Sequence, residues 1–159
     1  MGAEANTNIA KYLYIDSGLL LSVLNMGLGN IGQLTEQILL SSATDLVNKG
    51  SITEMIAGLE IIKYLPPTHR PELFYWQRDA KGSTAEIDYL IAKDMQRLPI
   101  EVKAGTQGGM KSLYYYMEQK NLRHAVRTSL ENFGQIEREA SAIDICTLYA
   151  LSSLFRHSL

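Results

Sequence analysis

The chain has 159 residues, of which 46% are hydrophobic and 20% charged, with a formal net charge of −2. That length suits a single domain, which buries roughly 70% of its unfolded surface and needs no disulfide or structural metal to be stable. The slightly acidic total excludes a protein whose whole surface binds nucleic acid. A lone cysteine, Cys146, excludes an intramolecular disulfide and a multi-cysteine zinc site.

Residues 11–15 are rich in aromatic and β-branched types and predict a short strand, with Asp16 and Ser17 at the start of a helix. Residues 19–26 and 33–48 read as helices joined by a glycine-rich loop, with Gly50 in the C-cap position of the second. Ser51 or Thr53 can cap a further helix over 54–64, which Pro66 and Pro67 terminate.

The character then turns to strand formers. Residues 73–77 predict one strand and 79–82 a turn. Residues 85–92 predict a second strand, with Glu86, Asp88 and Leu90 alternating against Ile87, Tyr89 and Ile91. A turn over 93–97 leads into a partner strand over 98–103. A helix over 110–119, a strand over 124–129 and an apolar β-leaning stretch over 143–151 follow, with a short helix at the end. The reading is one α/β domain over 1–159, a mixed central sheet flanked by helices. An N-terminal strand and helical segment occupies 1–49 and the core occupies 50–155.

The stretch from Glu86 to Lys103 carries the chemistry. Glu101 and Lys103 stand two apart, so on a strand they share a face while Val102 points away. A hairpin would bring Asp88 beside them. Two carboxylates suit Mg²⁺, a hard cation that takes oxygen ligands, and a lysine there can orient water or steady charge on a phosphate. The same Ile-Glu-Val-Lys pattern also describes an amphipathic edge strand whose polar face is in water.

Around that stretch, residues 69–127 hold ten Lys and Arg against seven Asp and Glu. A locally basic face of this kind can meet phosphates, and it is equally the mark of an ordinary solvated surface.

Other motifs carry less. Gly27, Gly29 and Gly32 fit G-x-G-x-x-G, but the candidate ribose acid, Asp45, falls inside a predicted helix, so an inter-helix loop is expected. His69, His124 and His157 are scattered, which favours structural or surface roles. Tyr114, Tyr115 and Tyr116 face different ways on a helix, which favours packing over base stacking. No G-x-x-x-x-G-K-S/T is present, so no P-loop ATPase activity is expected. No apolar run nears the roughly 20 residues of a membrane span, and residues 1–11 lack a secretory leader, so a cytoplasmic, membrane-free setting is expected.

Glu86, Asp88, Tyr89 and Leu90, followed by Ile100, Glu101, Val102, Lys103 and Gly105, resemble the E-x-D-F/Y-L and I-E-V-K-S/A-G pair of the PD-(D/E)XK superfamily. They are most similar to the domain of unknown function that follows the ATPase module in many prokaryotic AAA-type proteins. The opening around Lys11, Tyr12, Asp16 and Gly18 resembles that domain's K-x-Y-F-x-D-T-G-L-L. Gly50, Glu54 and Glu60 resemble its G-x-x-x-E-x-x-V-x-x-E helix. Phe74, Tyr75 and Trp76 look like its I/L-Y-Y-W strand, and Lys111, Ser112 and Leu113 its helix start. The similarity runs in order over about residues 11 to 155, although Gly58 departs from the family's polar pair.

The resemblance implies a restriction-endonuclease-like fold. Asp88 and Glu101 would be metal ligands and Lys103 the catalytic lysine, with Glu54 or Glu60 completing the acid set and Glu86 and Lys111 in support. Glu54 and Glu60 differ by some 120° of helix face, so both are not expected at one metal, and Glu54 is slightly favoured. Glu86 is either a ligand or a salt-bridge partner of Lys81 or Lys93. The implied cofactor is Mg²⁺, the implied substrate DNA, and the implied neighbour an AAA-type ATPase module ahead of Met1. The alternative is a catalytically silent DNA-binding or assembly domain that serves such a module.

Overall fold

The computed structural model describes residues 5–6, 8–16, 19, 49–65, 68, 72–78, 85–93, 95–106, 108–138 and 141–151. The expectations for 19–26, 27–32, 33–48, 79–82 and the chain beyond 151 lie outside the described residues. So does most of the N-terminal helical segment. No described helix is long and apolar enough to cross a membrane.

Among the described residues, helix α1 (Lys49–Tyr64) starts earlier than its apolar spacing predicts, so Gly50, Ser51 and Thr53 lie inside it rather than at caps. It ends at Tyr64, just before the two prolines. Ala57 and Ile61 point into the sheet, whereas Ile52 and Met55 pack on Leu13 and Tyr14 of the N-terminal segment. Ile61 is fully buried, which is worth about 1.5–3 kcal/mol relative to exposure. Residues 11–15 form no strand. They run along α1 as an irregular strap, so the apolar residues expected to pair in a sheet pack on a helix instead. At its end, Asp16 Oδ1 accepts a hydrogen bond from Leu19 N at 2.9 Å, the N-cap contact its residue type predicts.

Six strands form one sheet among the described residues: β1 (Phe74–Gln77), β2 (Glu86–Lys93), β3 (Gln96–Glu101), β4 (His124–Thr128), β5 (Gly134–Arg138) and β6 (Ser141–Cys146). Their spatial order is β1-β2-β3-β4-β6-β5. β1–β2, β2–β3 and β5–β6 are antiparallel, while β3–β4 and β4–β6 are parallel. The expected mixed sheet flanked by helices is therefore present.

The β2–β3 hairpin closes tightly. Lys93 pairs with Gln96, and Met95 takes the left-handed conformation, φ 62°, that such turns require. A second helix, α2 (Lys111–Lys120), crosses from β3 to β4, as a parallel connection demands. Its C-terminus is closed by Asn121 in the left-handed region, φ 50°. A 3-10 turn (Leu148–Ala150) follows β6 and packs on α1.

The sheet carries an apolar layer on each face. Tyr89, Ile91, Ile100, Val102 and Val126 meet α1, while Ile87, Leu90, Ala125 and Ile143 meet α2. Cys146 is a buried core thiol on the α1 side, and burial pushes its pKa up to about 12, so it is inert.

The alternation in β2 breaks once. Phe74 pairs with Leu90 and Trp76 with Ile87, so Asp88 and Tyr89 together stand opposite Tyr75. This extra residue is a β-bulge, and it turns Tyr89 and Ile91 onto the α1 face while Ile87 and Leu90 stay on the α2 face. The simple alternation expected from the sequence, with Ile87, Tyr89 and Ile91 on one side, does not hold.

Candidate metal centre

Glu86 and Asp88 come from β2 and Glu54 from α1. One carboxylate oxygen of each lies within 4.8 Å of the other two. Ligand atoms of three hard carboxylates that close together can hold a metal ion, and oxygen donors of this kind suit Mg²⁺.

The α1 residue is held in place from its backbone. Tyr89 Oη donates to Glu54 O at 2.8 Å. That contact needs a helix position with no side chain, because a Cβ on Gly58 would come within 2.6 Å of Tyr89 Oη. Gly58, which departs from the pattern the sequence resembles, is the residue that lets Tyr89 reach Glu54.

Pairing between β2 and β3 stops at Tyr89 and Ile100. Beyond it the Asp88 carboxylate fills the wedge between the strands, and its Oδ2 accepts Val102 N at 2.7 Å. Burial pushes the Asp88 pKa up to about 7, and the nearby Glu101 charge pushes the same way. Burial raises the Glu101 carboxyl too, against the lowering effect of Lys103.

Glu101, at the end of β3, is not one of the three clustered acids, but its charge bears on Asp88. It is more than nine-tenths buried, its Oε1 pairs with Lys103 Nζ at 2.6 Å, and its Oε2 has no hydrogen-bond partner among the described residues. The Glu86 charge adds to the rise at Glu101.

A lysine sits in the acid cluster. Lys11 Nζ lies 2.8 Å from Glu54 Oε1, also pairs with Glu86 Oε1, and stands 4.9 Å from the centre of the Tyr75 ring. Burial works against its ammonium form, but the hydrogen bonds to Glu54 and Glu86 outweigh it and the pKa is raised. The strap carrying Lys11, the start of α1, β1 and β2 line a cleft of about 1280 Å³ that includes Glu54, Glu86 and Asp88.

Each site residue read from the sequence now has a place. Asp88, Glu86 and Glu54 come together, with the Glu101–Lys103 pair beside them. Glu60 pairs with Lys63 on α1 and is not part of the three-carboxylate cluster. Lys111 is exposed at the first position of α2. Glu86 pairs with Lys11, and Lys81, one of the two lysines expected as its partner, lies outside the described residues. Lys11 was missed as a site residue. Its only signal was its place in the opening motif, because nothing local to residues 11–15 says that its side chain reaches a helix and a strand far along the chain.

The model of one protein family, a domain of unknown function (DUF4143), matches residues 49–148. The chain belongs to that family. Comparison with curated proteins and with solved structures gives no match. The DUF4143 match contains Glu54, Glu86, Asp88, Glu101 and Lys103, whereas Lys11 lies outside the matched residues.

Proposed function

We propose that this domain is a restriction-endonuclease-like phosphodiesterase that hydrolyses DNA with Mg²⁺, in a cytoplasmic protein where it serves an AAA-type ATPase module. The observation that carries the reading is the convergence of Glu54, Glu86 and Asp88 within 4.8 Å. The buried Glu101, whose Oε2 has no hydrogen-bond partner among the described residues, adds a fourth acid nearby. Three carboxylates in a part-buried wedge carry more negative charge than the single Lys11 ammonium offsets, which is the electrostatic condition for binding a cation.

The residues divide the work. Asp88, Glu54 and Glu86 hold the metal, with Glu101 as the further oxygen donor from β3. When bound, Mg²⁺ supplies Lewis-acid polarisation of a phosphoryl oxygen and makes water a better nucleophile near neutral pH. Lys103, steadied by Glu101 at 2.6 Å, donates hydrogen bonds to the phosphate or the attacking water. Asp88, with its pKa near 7, is deprotonated and ready to bind a cation above neutral pH.

The test is plasmid DNA incubated with the protein and Mg²⁺ or Mn²⁺, beside Asp88→Ala. Cleavage by the native chain and none by the variant supports the reading. Equal cleavage by both, or none by either, removes it.

A second reading rests on Lys11. An ammonium already placed between Glu54 and Glu86 does the neutralising that a metal would do. On that reading the domain is catalytically silent and binds DNA or assembles with an ATPase module. Salt-steep DNA binding without cleavage would favour it.

A further inference from the structure

The strap that carries Lys11 is held to the domain by few contacts. Among the described residues, no backbone–backbone hydrogen bond joins residues 10–15 to α1 or to the sheet. Side chains do the holding: Leu13 and Tyr14, both half-buried, pack on Ile52 and Met55, and Lys11 reaches Glu54 and Glu86. Tyr12 and Ile15, by contrast, are 95% and 87% exposed. A segment with few buried apolar contacts and no backbone pairing belongs to the low-stability end of a fold and opens before the core does. Ion pairs as exposed as those of Lys11 add little to hold it shut.

The tether and a bound cation use the same atoms. Lys11 Nζ lies 2.8 Å from Glu54 Oε1 and also pairs with Glu86 Oε1, and its charge acts on Asp88 as well. Those are the three acids whose ligand oxygens lie within 4.8 Å of one another. An ammonium and a divalent cation placed there would stand a few ångströms apart and repel. The divalent ion carries the larger charge and takes several oxygens at once, whereas Lys11 offers a single charge on a flexible stem. Such exclusion is reciprocal: as far as the seated strap weakens the cation, the cation unseats the strap.

Unseating has a consequence because the strap is a wall of the site. Residues 5–6 and 9–13 line the cleft of about 1280 Å³ together with the start of α1, β1 and β2, and Glu54, Glu86 and Asp88 lie in it. Removing that wall turns the cleft into an open face with the acids accessible to a large substrate.

We propose that residues 9–15 form a cation-released plug: seated, the strap closes the acid site through Lys11, and a divalent cation displaces it and opens the cleft. This rests on the metal-centre reading above and adds to it a moving part and an order of events, cation before substrate.

The experiment is limited trypsin digestion of the full chain with and without Mn²⁺. Cleavage after Lys11 is followed by mass, with a free lysyl peptide in the same tube as the reference. Cleavage of a segment that opens and closes quickly follows the population of its opened form. Mn²⁺ at about 100 times its Kd should speed cleavage after Lys11 at least about tenfold, since binding favours the released form by the ratio of concentration to Kd. Leu13→Ala loosens the strap and leaves every acid in place. It should speed cleavage without cation and tighten Mn²⁺ binding about threefold in calorimetry, whereas a strap that braces the acids predicts weaker binding. Calorimetric binding of Mn²⁺ with cleavage unchanged or slowed overturns the plug and leaves the metal centre standing. So does a Leu13→Ala affinity no tighter than that of the native chain. No Mn²⁺ bound by either chain removes both the metal centre and the plug, while binding by Leu13→Ala alone supports both.

Discussion

Asp88 and Glu101 sit on neighbouring strands, and burial raises the pKa of both. Their surroundings differ. Glu101 has an ammonium on one oxygen, Lys103, and the Arg127 charge nearby. Asp88 has the Val102 N–H, and its neighbours Glu54 and Glu101 act in the same direction as burial. One carboxylate is compensated within its own strand pair. The other is left with more negative charge around it than the local cations offset, and Lys11 supplies part of the deficit from a strap outside the sheet. The contrast teaches that a compensated buried acid positions its partner, while an under-compensated one invites a cation.

The sharpest way to break that contrast is to remove the under-compensated acid. Asp88→Ala should reduce Mn²⁺ affinity at least about 100-fold in a calorimetric titration, since even outer partners of metal ligands are worth 10- to 100-fold. A loss no larger than that of Glu60→Ala would mean that the two acids are equivalent and the wedge is not special.

Gly58→Ala attacks the support beneath the site. The added methyl meets Tyr89 Oη at 2.6 Å and Leu13 Cδ1 at 2.9 Å. A loss of about 1–3 kcal/mol in denaturant unfolding is expected, with weaker cation binding as Tyr89 lets go of Glu54. Unchanged stability would show that Tyr89 does not hold α1.

The pH dependence follows the Asp88 carboxyl. Unfolded, Asp88 loses its proton near its ordinary value of 3.8, whereas the folded group does so near 7. The folded chain therefore holds the extra proton between those values. Its stability contribution is full below about 4 and is lost as pH rises through 7. Cation affinity should move oppositely and strengthen over the same window. Asp88→Asn should flatten the stability slope, and a slope that survives in the variant contradicts the assignment.

The smallest effect is expected from Lys11→Met. Removing a half-exposed ammonium from Glu54 and Glu86 should tighten Mn²⁺ binding by a few-fold, the scale of an ion pair worth up to about 1 kcal/mol. Weaker binding would mean that Lys11 organises the acids rather than competing for them.

Much of this arrangement was legible in the sequence, and the gaps have physical causes. Strands β1 to β4 and β6 and helix α2 follow from β-branched and aromatic runs and from helical spacing. Of the acids that cluster, Asp88, Glu54 and Glu86 were each named from the resemblance of short motifs, whereas the grouping of Asp88 with Glu101 and Lys103 is an expectation that the cluster does not test. β5 was missed because it is a polar edge strand, with one half-buried residue, Ile136, among exposed ones, and so shows no alternation. Gly50 lies within α1 because packing of Ile52 and Met55 on the strap outweighs glycine's weak helix propensity. The bulge at Asp88 and Tyr89 was invisible, since it exists only as a register shift against β1. It is also what sets the site: without the extra residue, Tyr89 would not share the α1 face with Glu54.

The most direct measurement is anomalous diffraction from a crystal of this protein soaked in Mn²⁺. A peak bounded by the carboxylates of Glu54, Glu86 and Asp88, with the Lys11 ammonium displaced, is the predicted result. Lys11 still seated between Glu54 and Glu86 in a saturated crystal, with no peak beside Asp88, would contradict it.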